Sequence, residues 1–132
     1  MNTVFNPRHS LRAFGILLSV MSLMMMLDAG GFSASGFPNA SEESLEIATY
    51  MHQVFGAAIF AFGSLIFGAA MSNQPARCMR IAKLASCAFV PSVIVMTYHW
   101  TGPVPEVMAP AVLNSVMWLW VLLSGFLYKP EA

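Results

Sequence analysis

Charge is what this sequence holds least of. Six Lys and Arg with six Asp and Glu make up 9% of its 132 residues, against about a quarter in ordinary soluble domains. So few ionic groups cannot cover a globule in water. With 58% hydrophobic residues, the chain belongs in a solvent that tolerates apolar surface, the lipid bilayer. The formal net charge is zero, which supplies no basic excess for a nucleic-acid partner. Cysteine is scarce too. Cys78 and Cys87 lie about 13 Å apart along one helix, too far for a disulfide, and are expected to pack in the membrane. No glycine-rich phosphate loop, serine-nucleophile motif or HExxH zinc pattern occurs, so the common signatures of catalysis are missing.

What the chain does have is apolar length. Four segments, about Leu11–Gly31, Ile47–Met71, Ile81–Trp100 and Val107–Leu127, each approach the roughly 20 residues of a spanning helix. The first holds about 15 uninterrupted apolar residues, so it also fits the core of a signal peptide. Arg8 and Arg12 precede it and FSASG follows, which would place cleavage near Ser35. With four spans, Arg8, Arg12, Arg77, Arg80, Lys83 and Lys129 all fall on one side. By the positive-inside rule that side is cytoplasmic or its equivalent, and both termini face it. Asp28, Glu42, Glu43, Glu46 and Glu106 take the other side, leaving Glu131 among the basic residues. The fold class expected is an all-α integral membrane domain over residues 1–132, an up-down-up-down four-helix bundle with short connections.

The connection FSASGFPNASEESLE reads as an exposed loop ending in a helix start, capped by Ser41 with Ser44 or by Asn39 with Glu42 and Glu43,. SNQPAR reads as a short basic inner loop. Helices in lipid associate by close backbone approach, so small residues mark the expected contacts. They are Ser64, Gly68 and Ser72 on the second helix, with Ala57 and Ala61, then Ala85, Ala88 and Ser92 on the third, and Gly15, Ser19 and Ser22 on the first. Pro91, mid-span, removes a backbone hydrogen bond and is expected to kink its helix.

Polar residues gather at the acidic end. His52 with Tyr50 and Gln53, His99, Asp28 and Glu106 are all expected there, with Asn114 about two turns further in,. Three readings of this cluster stand. In the first it is an interfacial belt, with TGPVPE a turn between helices. In the second, His52 and His99 on facing helices ligate haem or a chlorophyll. In the third, His99 with Glu106 or Asp28 moves protons on a lipid, quinone or sterol-like substrate. The eleven methionines serve as gap-fillers in apolar packing rather than as copper ligands.

Known four-helix families narrow the field. The chain lacks the CxxC of vitamin K epoxide reductases and the mid-helix Glu of small multidrug transporters. Its four-span layout, the second-helix run GAAIFAFGSLIFGAA and the turn TGPVPEVMAP resemble DoxX-type small bacterial membrane proteins. That resemblance implies a bundle that sometimes serves as an accessory subunit of a membrane redox system, and it transfers no catalytic residue. The function expected is a non-catalytic accessory or scaffold subunit that contacts other membrane proteins or a hydrophobic small molecule.

Overall fold

A computed structural model describes residues 4–101 and 108–129, without the side chains of residues 99, 100 and 108–110. Among the described residues the protein is entirely helical: α1 (Pro7–Leu27), α2 (Ala29–Gly36), α3 (Glu42–Ala69), α4 (Pro75–Thr101) and α5 (Met108–Leu127). Three of these, α1, α3 and α4, are long and apolar enough to cross a membrane, while the apolar run of α5, Ala111–Leu127, is shorter.

Helix ends follow capping chemistry more closely than hydropathy. α1 starts at Pro7, one turn ahead of the apolar run. Asn6 accepts a hydrogen bond from the Arg8 amide at 3.0 Å and Pro7 fills the first turn, where a proline's missing N–H costs nothing. α1 stops at Leu27, four residues short of the expected Gly31, because Asp28 leaves helical geometry and its carboxylate accepts from the Gly31 amide at 3.2 Å. A second helix therefore starts at Ala29, inside the expected first span, and runs through Gly36 into the expected exposed loop. α2 is built from AGGFSASG, and its carbonyls are partly met by its own serines: Ser33 donates to Ala29 and Ser35 to Phe32. α3 begins as expected, with Ser41 as the cap of the Ser44 amide. At 28 residues it is about 42 Å long, so its first turns, which carry Glu42, Glu43 and Glu46, outrun a hydrocarbon layer of about 30 Å. α4 absorbs half of the expected inner loop, starting at Pro75 and placing Arg77 on the helix, with Arg80 one turn further along. It continues past Pro91, and the indole of Trp118 on α5 donates to the Ser86 carbonyl of the same stretch at 2.8 Å.

α1 is the hub. It packs along α3 and also touches α4 and α5, α4 pairs with α5, and α3 and α4 meet only sparingly. The α1–α3 seam has a period of 3.5 residues. On α3 the inward positions are Leu45, Thr49, His52, Gly56, Ile59, Gly63, Ile66 and Ala70, all buried or half-buried, at alternating spacings of four and three, the register of heptad-packed helices. Across it lie Gly15, Leu18, Ser19 and Ser22 of α1. A Cβ on Gly15 would stand 2.8 Å from the Gly63 carbonyl oxygen, and one on Gly63 would stand 2.8 Å from Ser19 Oγ. The two backbones approach this closely only because neither residue has a side chain. The expected first-helix stripe is therefore the contact face.

The other expected stripes need correction. Ser64 and Gly68 are exposed, a Cβ on Gly68 would meet nothing within 4 Å, and Ser72 lies beyond the helix end. The spacing-of-four pattern missed the α1 seam because a heptad contact drifts off that diagonal. On α4, Ala85 is buried, Ser92 half-buried and Ala88 exposed; the buried positions are Cys78, Ala82, Ala85 and Ser86.

The core joins Leu11, Phe14 and Leu18 of α1 to Ile66 and Ala70, to Cys78, Ala82 and Ala85, and to Val121 of α5. Phe14 meets Phe89 edge-on, ring centres 4.8 Å apart. If lipid surrounds it, this core gains little from leaving solvent, so close dispersion contact and interhelical hydrogen bonds hold it. Two such bonds have no sequence signature: Ser10 with Ser124 across α1 and α5, both fully buried, and Trp120 Nε1 to the Val4 carbonyl at 2.7 Å.

Candidate functional site

Ionic groups sort to the two ends of the helices. Arg8 donates to Asn73 Oδ1 at 2.9 Å and Arg12 reaches Met71 Sδ at 3.4 Å, which ties the start of α1 to the α3–α4 turn. Lys83 Nζ stands 4.8 Å from the ring centre of Phe126, which ties the start of α4 to the end of α5. Arg77 and Arg80 belong to the same opening turns of α4, and Lys129 follows α5. All six basic residues thus share one end. Asp28, Glu42, Glu43 and Glu46 mark the other, at the end of α1 and the start of α3.

Of the expected polar residues, His52, Tyr50, Gln53 and Asp28 lie toward that acidic end, and His52 finds a partner outside the expected set. His52 is on the inward seam of α3, one turn before Gly56, where α3 faces α2 as well as α1. Its Nδ1 is 2.8 Å from Ser33 Oγ, and its ring lies 6.2 Å from that of Phe32. Ser33 is fully buried and donates to the Ala29 carbonyl at 2.9 Å. A hydroxyl has one proton, so with that proton on Ala29 it accepts from Nδ1–H of His52, leaving the ring's lone pair on Nε2. Thr49 closes the knot, donating to Leu45 O at 2.7 Å and standing 3.4 Å from Ser33 Oγ. Sequence reading missed Ser33 because its segment was taken for a loop. Its signal was the i to i−4 spacing of Ser33 from Ala29, which marks a helical hydroxyl.

The other described candidates make separate contacts. Tyr50 is exposed and donates to Glu46 at 3.2 Å, Gln53 is exposed, and Asp28 is occupied in capping α2. Asn114 is buried, 7% exposed, and its amide reaches Met96 Sδ at 3.4 Å, a link between α5 and α4. The side chain of His99 and all of Glu106 lie outside the described residues. His52 belongs to the α1–α2–α3 side of the protein, whereas His99 is on α4, whose main neighbour is α5. Among the described residues no group of three or more His, Cys, Asp or Glu is placed to hold a metal ion.

Among the described residues, what the arrangement offers chemically is one oriented imidazole beside a buried hydroxyl. Set against known proteins, the chain matches no family model, no curated sequence and no solved structure. Its own geometry therefore carries the functional argument.

Proposed function

We propose that this is a small non-catalytic integral membrane protein, an accessory or scaffold subunit that presents α3 to another membrane protein. The observation that carries the reading is a second small face on α3. Ala57, Ala61, Ser64 and Gly68 are all exposed and fall within one narrow arc, about 140° around the helix from the Gly56–Gly63 seam. One face of the helix meets α1 at backbone distance, and the other is equally small and uncovered. Bulky residues suffice against lipid, whereas small ones let a neighbouring helix approach. The layout's likeness to DoxX-type proteins points the same way.

In this reading α5 makes a fourth crossing beside α1, α3 and α4, giving a four-helix bundle with both termini on the cytoplasmic or equivalent side. The gathering of all six cations at one end supports that orientation. The test is a photo-crosslinking residue at Gly68 in native membranes. A discrete heavier adduct is expected, lost on Ala61→Leu while the thermal melt of the purified chain stays unchanged. A chain that stays uncrosslinked at Gly68 and migrates alone in gently extracted membranes would remove the scaffold reading.

A second reading draws on His52. An imidazole whose Nδ1 is held by a hydroxyl presents Nε2 as a ligand for haem iron or a chlorophyll magnesium. An absorption spectrum of the natively extracted protein decides it: a Soret or chlorophyll band abolished by His52→Ala would replace the scaffold proposal, and a colourless protein retires the pigment.

A further inference from the structure

The basic end contains a pair of guanidinium groups that no carboxylate meets among the described residues. Arg8 and Arg12 are one helical turn apart on α1, roughly 6 Å along its axis, and both reach toward the α3–α4 turn. Their acceptors are neutral: an amide oxygen of Asn73 and the thioether of Met71, the latter a weak acceptor,. Among the described residues, Nε of each is buried and has no hydrogen-bond partner. Both side chains are half-buried, so water screens these two like charges only in part. Arg77 adds a third cation four residues beyond Asn73, in the first turn of α4. The described carboxylates, Asp28, Glu42, Glu43 and Glu46, are at the far end of the helices.

Two adjacent guanidinium forks with no carboxylate partner among the described residues call for a multidentate anion, and phosphate matches that geometry with several oxygens. A pair of this kind at the end of membrane helices lies at headgroup depth, where the anion at hand is a phospholipid's phosphate. We propose that Arg8 and Arg12, with Arg77 across the α3–α4 turn, bind the phosphate of an anionic phospholipid in the basic-side leaflet. The site lies at the opposite end from His52 and the acidic residues. It uses neither the small face of α3 nor any partner protein, so it stands or falls separately from the scaffold reading.

The experiment is native mass spectrometry of the full chain in detergent with equal amounts of phosphatidylglycerol and phosphatidylcholine of identical acyl chains. Phosphatidylglycerol is expected to be retained preferentially. Arg8→Gln or Arg12→Gln should each lower the preference about fivefold, the expected effect of one cation at a membrane surface, and the double variant should approach parity. Arg80→Gln and Lys129→Gln should leave it within about twofold of the unaltered chain, since among the described basic side chains only those of Arg8 and Arg12 hydrogen-bond to the α3–α4 turn,. If the double Gln variant does not fold, Arg8→Lys with Arg12→Lys keeps the charge but removes the fork, and should still reduce the preference measurably. Equal retention of the two lipids by the unaltered chain would overturn the proposal. So would losses from Arg80→Gln as large as those from Arg8→Gln, which would mean diffuse surface charge. Displacement of the lipid by millimolar inorganic phosphate would identify free phosphate as the ligand and equally overturn it.

Discussion

The close backbone approach of α1 to α3 at Gly15 supplies a sharp test. In Gly15→Ala the new methyl group would lie 2.8 Å from the Gly63 carbonyl oxygen, 2.8 Å from the Phe67 amide nitrogen and 2.9 Å from Phe67 Cβ. Ordinary contact begins at 3.4 Å, so the shortfall is 3.4 minus 2.8, about 0.6 Å, and two of the three atoms are backbone. No rotamer change can relieve it; α1 and α3 must move apart. Overpacking of this kind costs about 1–3 kcal/mol, and a gap of 0.5–1 Å forfeits a quarter to a half of each dispersion contact along the seam. Alanine also favours a helix over glycine by up to about 1 kcal/mol, which would blur the result for one variant alone. Gly68→Ala, where a Cβ meets nothing within 4 Å, carries the same propensity gain without the clash. The difference between the two variants isolates the packing term, and Gly15→Ala should be the less stable by about 1–3 kcal/mol. Gly63→Ala should behave like Gly15→Ala. Gly56→Ala should cost less, because its nearest neighbour at 2.8 Å is Cγ of the flexible Met26 side chain and the nearest backbone atom, the Ser22 carbonyl oxygen, is further off at 3.1 Å. Reversible unfolding in mixed micelles, followed by circular dichroism against the fraction of denaturing detergent, measures all four. If Gly15→Ala and Gly68→Ala unfold at the same detergent fraction, the heptad seam is wrong.

Other contacts make separate predictions. Ser10→Ala and Ser124→Ala, alone and combined, should show a coupling of about 0.6 to 1.7 kcal/mol in a double-mutant cycle in the same unfolding assay; additive losses would mean the two hydroxyls do not support each other. Trp118→Phe keeps the ring but loses the bond to the Ser86 carbonyl, and should destabilise by about 0.5–1.5 kcal/mol, whereas an unchanged midpoint would show that carbonyl to be satisfied without it. His52→Ala should free α2 from α3, seen as faster amide exchange over Ala29–Gly36 with protection of α1 unaltered; equal loss in both helices would contradict the local role of the Ser33–His52 bond. Because α1 bridges elements that otherwise barely touch, intact-mass measurement of membrane-extracted protein should find α1 still attached, and a mature chain starting near Ser35 would refute its place as the hub.

Most of the helix layout was legible in the residues. Apolar length located α1, α3, α4 and α5, and the asymmetry of Lys and Arg anticipated which ends come together, because both are sums over many residues that no single contact overrides. Boundaries were less legible where polar chemistry outweighed hydropathy. Asn6 and Pro7 start α1 ahead of its apolar run, Asp28 ends it early, and AGGFSASG folds as α2 despite its loop-like composition. Helix faces were legible only with the right period: Gly15, Ser19 and Ser22 were found, but α3 was read along Ser64 and Gly68 when its seam runs through Gly56, Gly63 and Ala70. The serine and tryptophan bonds were not legible at all, since an apolar helix gives no local sign of which hydroxyl meets a partner more than a hundred residues away. Of the polar residues, His52, Tyr50, Gln53 and Asp28 were legible as lying toward one end, but their partners were not. His52 took Ser33 for its partner, a residue whose segment had been read as solvent-exposed.

The membrane arrangement is tested most directly by sided labelling. With Cys78 and Cys87 replaced by serine, single cysteines introduced at Asn73, Lys129 or Asn39 can be challenged in sealed right-side-out and inverted vesicles with a membrane-impermeant maleimide. Asn73→Cys and Lys129→Cys should react from the same side, the cytoplasmic one, and Asn39→Cys only from the other. Reaction of Asn73→Cys and Lys129→Cys from opposite sides would mean that α4 and α5 do not both cross, and the four-span bundle would have to be abandoned.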